Sequence, residues 1–194
     1  MNEEVKKLDE MIENLNNFMV AISKNYRNKL TREVLFSGMV IKKTIDILET
    51  SKYVLRNYLI TVQTSLLRLL CDNCLAIQSV KELDLKTVMD MIENKQQVNQ
   101  VMVDDEQNMS DGYLKRKVSE SYQGFDRLYK FASQGVHFSN QTLASILSYD
   151  KDKNIKLNVS VGNKELKEEV IENNDRMIIL TKIIIRMIKE IILV

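Results

Sequence analysis

Between Tyr53 and Val80 the chain reads YVLRNYLITVQTSLLRLLCDNCLAIQSV, with no glycine or proline and apolar residues around most of a helix. Val54, Leu55, Leu59, Val62, Leu66, Leu69, Leu70, Cys74 and Ile77 spread too widely for one narrow stripe. A helix of that kind must be enclosed by others. At about 100° per residue, however, Asn57, Thr61, Thr64, Ser65, Arg68, Asp72 and Ser79 gather on one face. A polar seam inside a core needs partners, because an unpaired buried charge is costly.

The rest of the chain offers helices to do the enclosing. It has no proline and five glycines in 194 residues, so little interrupts a helix anywhere. The expectation is a single all-α domain over residues 1–194, a multi-helix bundle around a buried central helix at about 53–80. Asn2–Lys24 carries Val5, Leu8, Met11, Ile12, Leu15, Phe18, Met19 and Ile22 at helical spacing, with charged residues opposite. Thr31 is placed to cap a second helix reaching about Thr50, with Leu35, Met39, Ile45 and Leu48 inward and Ser51–Lys52 as the joint. Asp84 caps a fourth, lined by Leu85, Val88, Met89 and Ile92.

That pattern fades by Gln96–Asn99 into a long polar loop that ends at the turn signal Asp111-Gly112. Tyr113–Phe138 returns to helix, with Phe125, Leu128, Phe131, Ala132 and Val136 inward, and Ser139 could cap a short helix to about Leu147. Ile155–Val161 alternates and is β-branched, a small β excursion that needs a partner strand; Val101–Val103 is one candidate. Asp175–Val194 is Ile-rich with a narrow wet stripe at Lys182, Arg186, Lys189 and Glu190. It is too short and too charged to span a membrane, which leaves core packing or a homodimer surface.

Bulk charge removes one strong signal, although a local basic patch stays open. Twenty-eight basic residues against 27 acidic give a formal net charge of +1, not the strong excess of a protein held to nucleic acid mainly through phosphates. The opening residues mix acids and bases with no apolar leader core, so a cytoplasmic location is expected. Cys71 and Cys74 form a C-x-x-C inside an apolar helix with no second pair, and read as reduced core thiols. With one histidine in the chain, no metal site and no cofactor are expected.

Chemistry, if present, centres on that histidine. Tyr129, Ser133 and His137 stand at i, i+4 and i+8, with Tyr122 and Asp126 on the same face. Laid against the polar seam, they become neighbours of Arg68 and Asp72, themselves an i,i+4 ion pair. In one role His137 is an acid/base or phosphate-contacting group, Asp72 sets its tautomer and Arg68 stabilises negative charge. In the other these groups satisfy one another and fix the register of a helix pair.

The run Asn99…Asp111-Gly112-Tyr113-Leu114, then Leu128-Tyr129…Ser133…His137-Phe138-Ser139, preceded by Leu67-Arg68-x-x-x-Asp72, resembles a family of bacterial helical proteins. That family is distantly similar to the HEPN (higher eukaryotes and prokaryotes nucleotide-binding) domains, and the resemblance covers about residues 54–144. It implies an all-α fold, often dimeric. It also implies RNA or a nucleotide as ligand, and metal-independent RNA cleavage in a bacterial defence or toxin–antitoxin setting. His137, Arg68 and Asp72 would be the catalytic group, with Tyr129, Ser133, Ser139, Asn99 and Asp111 in support. The Arg-x4–6-His motif of HEPN nucleases is absent, since the nearest arginine before His137 is Arg127; Arg68 would have to supply the cation.

Overall fold

The computed structural model describes residues 1–98, 101–103, 107–137, 147–149, 155–157, 162 and 164–192. They form an all-α protein: α1 (Asn2–Asn25), α2 (Arg32–Arg56), α3 (Ile60–Glu82), α4 (Leu85–Glu93), α5 (Asp111–Ser121), α6 (Phe125–Ser133) and α7 (Lys167–Ile192). Two of the expected caps are in place. The hydroxyl of Thr31 accepts from the Val34 amide, and Asp84 accepts from the Thr87 amide at 2.8 Å. The third long-loop boundary differs from expectation. Ser110 caps α5 and Asp111 opens its first turn, so Asp111-Gly112 begins a helix instead of closing a turn. A serine followed by an acid is as much a helix start as a turn, and the positive end of the helix dipole favours the carboxylate there.

α3 packs against α2, α4, α5, α6 and α7. Leu67, Leu70, Cys71, Cys74 and Ile77 are fully buried on it. It is also the one described helix long and apolar enough to cross a membrane, and most of that stretch is covered by the rest of the protein. α7 turns Met177, Leu180, Ile184 and Met187 into the same core, and Ile179 is the one large apolar side chain it leaves strongly exposed among the described residues. Buried polar groups stitch these helices together. Gln63 donates to the Val170 carbonyl at 3.0 Å, and Asn73 donates to the Thr44 hydroxyl at 3.1 Å.

Several expected boundaries move. The joint at Ser51–Lys52 does not exist: α2 continues to Arg56, and Ser51 is buried. The chain reverses instead through Asn57–Leu59, with Tyr58 at φ 55°, so the central helix begins at Ile60 and Val54 and Leu55 are core residues of α2. Val62 and Leu69, expected inside, are half-exposed. The expected helix Tyr113–Phe138 is two helices, divided at Tyr122–Gly124, where Gly124 adopts φ +90°. Only glycine takes that conformation without steric cost. Val136, expected inward, is exposed beyond the end of α6.

Leu147–Tyr149 pairs antiparallel with Ile155–Leu157, Tyr149 opposite Ile155. Leu147 therefore stands in a strand, not at the end of a short helix, and Val101–Val103 is not the partner. That loop segment folds on itself through a bridge between Met102 and Asn108 and is pinned by Met109, which is fully buried. Residues 158–161 of the expected strand and 139–146 of the expected short helix lie outside the described residues.

Candidate functional site

Arg68 leaves the solvent-facing side of α3 where α5 and α6 close over it. Its side chain is 16% exposed. Each guanidinium nitrogen has its own partner: Nε donates to Asp72 Oδ1, Nη1 to Ser133 Oγ and Nη2 to Asp111 Oδ2, all at 2.9 Å. Its Cζ lies over the Tyr129 ring, 4.0 Å from the centroid. Ser133 Oγ accepts from Arg68 while donating to the Tyr129 carbonyl at 2.8 Å, which uses its single proton. The Tyr129 hydroxyl donates to Asp111 Oδ2 at 3.1 Å, closing a ring of contacts across three helices.

The sequence dictates this local geometry. Arg68 and Asp72 are one turn apart on α3, as are Tyr129 and Ser133 on α6, so each pair presents one edge to the other helix. The close approach is made by Gly135. A β-carbon there would stand 2.7 Å from the Thr64 carbonyl carbon and from the Ser65 amide nitrogen. The Ser65 hydroxyl donates to the Gly135 carbonyl at 2.7 Å and holds the segment after α6 against α3.

Charge at the cluster follows from these contacts. Burial works against the charged form of Arg68, but the hydrogen bond and charge of Asp72, with Asp111 behind it, outweigh it and raise the guanidinium's affinity for its proton. Burial, opposed by Arg68 but reinforced by Asp111, keeps the Tyr129 phenol protonated well past its usual range. Nearby, burial and then the charge of Asp72 push the Cys71 thiol up to about 12, and burial holds Cys74 well above its usual value. These are core thiols without nucleophilic character.

Of the residues the sequence singles out, Arg68, Asp72, Asp111, Tyr129 and Ser133 meet. His137 does not join them. α6 ends at Ser133, so the i, i+4, i+8 ladder stops one rung short, and His137 sits in an exposed bend. No hydrogen bond or ion pair among the described residues reaches its ring, and among those residues the side-chain partner of Asp72 is Arg68. Asp126 and Tyr122 also face elsewhere. Asp126 pairs with Lys115 and Lys130, both at 2.8 Å, and the Tyr122 hydroxyl donates to Glu190 at 3.1 Å. Asn99 and Ser139 lie outside the described residues. Among the described residues no group of three or more His, Cys, Asp or Glu side chains could hold a metal ion.

Sequence reasoning missed the cleft beside the cluster. It has a volume of about 460 Å³. Leu75 and Ala76 of α3, Val88 and Ile92 of α4 and Leu114 of α5 form its apolar walls, with Phe36 of α2 behind. Arg68, Asp72 and Asp111 are its charged corner. The size is that of a small-molecule site, and apolar walls with a few convergent polar groups are the usual composition of one. The exposure of Ile92 on an otherwise amphipathic helix is the trace of this cleft in the fold, but from the sequence alone Ile92 reads as core.

In comparison with known proteins, the chain matches no family model, no curated protein and no solved structure.

Proposed function

We propose that the protein is a non-catalytic binding module, organised on α3 as the axis of its bundle, with the cleft between α3, α4 and α5 as its recognition site. The cluster around Arg68 acts as a brace: it fixes one wall of the cleft by tying α5 and α6 to α3. The observation that carries this role is the commitment of the guanidinium. Every nitrogen of Arg68 already has a partner within the chain, its Cζ lies over the Tyr129 ring, and the one imidazole in the sequence is outside the cluster. A cation so engaged is poorly placed to stabilise a developing negative charge on a substrate, which requires a donor held ready for it.

A second role, a HEPN-like RNA-cleaving or nucleotide-binding component of a bacterial defence or toxin–antitoxin system, is favoured by one fact. Five residues of the motifs that carry the resemblance, Arg68, Asp72, Asp111, Tyr129 and Ser133, converge in space. The same convergence also serves a brace, and it leaves out His137.

Two measurements separate the roles. Purified protein and its His137→Ala variant are incubated with single-stranded RNA. The binding role expects no cleavage that depends on His137, and RNA fragments made by the wild type and lost in the variant would replace it with the nuclease. A fragment screen read by amide NMR then asks where small ligands settle. Hits should move the amides of Leu75, Ala76, Val88 and Leu114; hits scattered over the surface would count against the cleft.

A further inference from the structure

The charges of the cleft select among ligands. Of the residues that line it, Asp72 and Asp111 are acidic and Arg68 is the one cation among the described residues. Two carboxylates to one guanidinium leave the corner with a negative excess. The excess is accessible: the Asp72 side chain is 35% exposed and that of Asp111 is 55% exposed, against 16% for Arg68 between them. On each carboxylate Arg68 engages one oxygen only. Asp72 Oδ2 and Asp111 Oδ1 accept no hydrogen bond from a described residue. Two cations on the neighbouring elements are committed elsewhere. Lys115 pairs with Asp126, and Arg32 of α2 pairs with Asp90 of α4 at 2.7 Å.

An anion entering this corner would meet two carboxylates and a guanidinium already neutralised by them. A cation would find two acceptor oxygens without donors. Most of the remaining lining is hydrocarbon, with Leu75, Val88, Ile92 and Leu114 among it, and Ser79 and Gln97 add two uncharged polar groups. We infer that the cleft binds a small organic cation, an ammonium or guanidinium head carried on an apolar body, with the head between Asp72 and Asp111 and the body along α3 and α4. The inference rests on the binding role proposed above and names its ligand class. Phosphate-bearing ligands, RNA and nucleotides among them, are disfavoured at this site by the same charges.

The test uses the full chain and three probes of similar shape and different charge: 2-phenylethylammonium, 2-phenylethanol and 3-phenylpropanoate. Each is titrated into isotopically labelled protein, and dissociation constants are read from amide shifts of Ala76, Val88 and Leu114. The ammonium should bind roughly tenfold more tightly than the carboxylate, the scale set by partly exposed charge pairs that change from attractive to repulsive. Asp72→Asn should shrink that ratio. Ala76→Trp should abolish cleft binding of all three probes while leaving the fold intact by circular dichroism, because Ala76 is exposed on α3 and its side chain takes no part in the polar cluster. Equal or preferential binding of the carboxylate would overturn the cation class and leave the binding role standing, as would preferential binding of the alcohol. No cleft binding by any probe would overturn the cation class as well. Cleavage of RNA that depends on His137 would remove the binding role itself, so the two failures are distinguishable.

Discussion

Arg68→Ala removes the centre of the brace, and its cost can be built up from the contacts. The pairs with Asp72 and Asp111 involve carboxylates that are 35% and 55% exposed, so solvent screening holds each to about 0.5 kcal/mol. The hydrogen bond to Ser133 is charge-assisted and part-buried, worth about 1 kcal/mol. The cation–π contact with Tyr129 at 4.0 Å adds about 1 kcal/mol. The sum is about 3 kcal/mol, which for a domain of this size lowers the melting temperature by roughly 6–12 °C. Urea denaturation monitored by circular dichroism measures the free energy directly. Arg68→Lys keeps the charge but loses the planar fork and the guanidinium–ring contact, and should recover less than half of the loss. If Arg68→Ala melts within about 1 °C of the wild type, the cluster does not brace the helices.

Four further outcomes follow from particular residues. Gly135→Ala should destabilise by about 1–3 kcal/mol, since its β-carbon would meet the Thr64–Ser65 backbone at 2.7 Å, whereas Gly124→Ala, with open space around it, should cost only about 1 kcal/mol of left-handed strain. Thermal melts of the two variants check the order, and a larger loss at Gly124 would contradict it. Cys71 and Cys74 should resist iodoacetamide at pH 8 in the folded protein and react promptly in urea; alkylation of the native chain, seen by mass spectrometry, would contradict the burial. Burial, with the hydrogen bond to Glu190, raises the Tyr122 phenol from 10.0 to about 12, so its contribution to stability is full below pH 10 and is lost as pH rises through about 12. Tyr122→Phe should flatten that alkaline decline in a pH series of urea melts, and an unchanged decline would assign it to other groups.

The all-α class was legible because it rests on many weak signals in agreement: missing prolines, amphipathic spacing, and caps at Thr31 and Asp84. Joints were harder. Ser51 looks like a break, yet it is buried inside α2, while the real reversal uses Tyr58 in a left-handed conformation that bulky residues seldom adopt. Tertiary packing decides such a position, and no local pattern marks it. The polar cluster was legible in part because Arg68–Asp72 and Tyr129–Ser133 are spaced by one turn, a relation that survives errors in helix ends. His137 was lost for the opposite reason: two turns of extrapolation from Tyr129 require the helix to persist, and it ends at Ser133. Asp111 was expected in a supporting role, but its direct hydrogen bond to Arg68 depends on where α5 begins, which a loop-like Asp-Gly conceals. The cleft is assembled from four helices and has no signature in any one of them.

The internal commitment of the Arg68 guanidinium can be observed directly by NMR of protein labelled with 15N-arginine, the Arg68 Nε–H signal being assigned by its disappearance in Arg68→Lys. The expected result is a slowly exchanging Nε–H, held by Asp72, whose shift does not move when single-stranded RNA or inorganic phosphate is added. A signal that exchanges freely with water, or one that moves on adding either ligand, would contradict a guanidinium reserved for the fold and return it to chemistry.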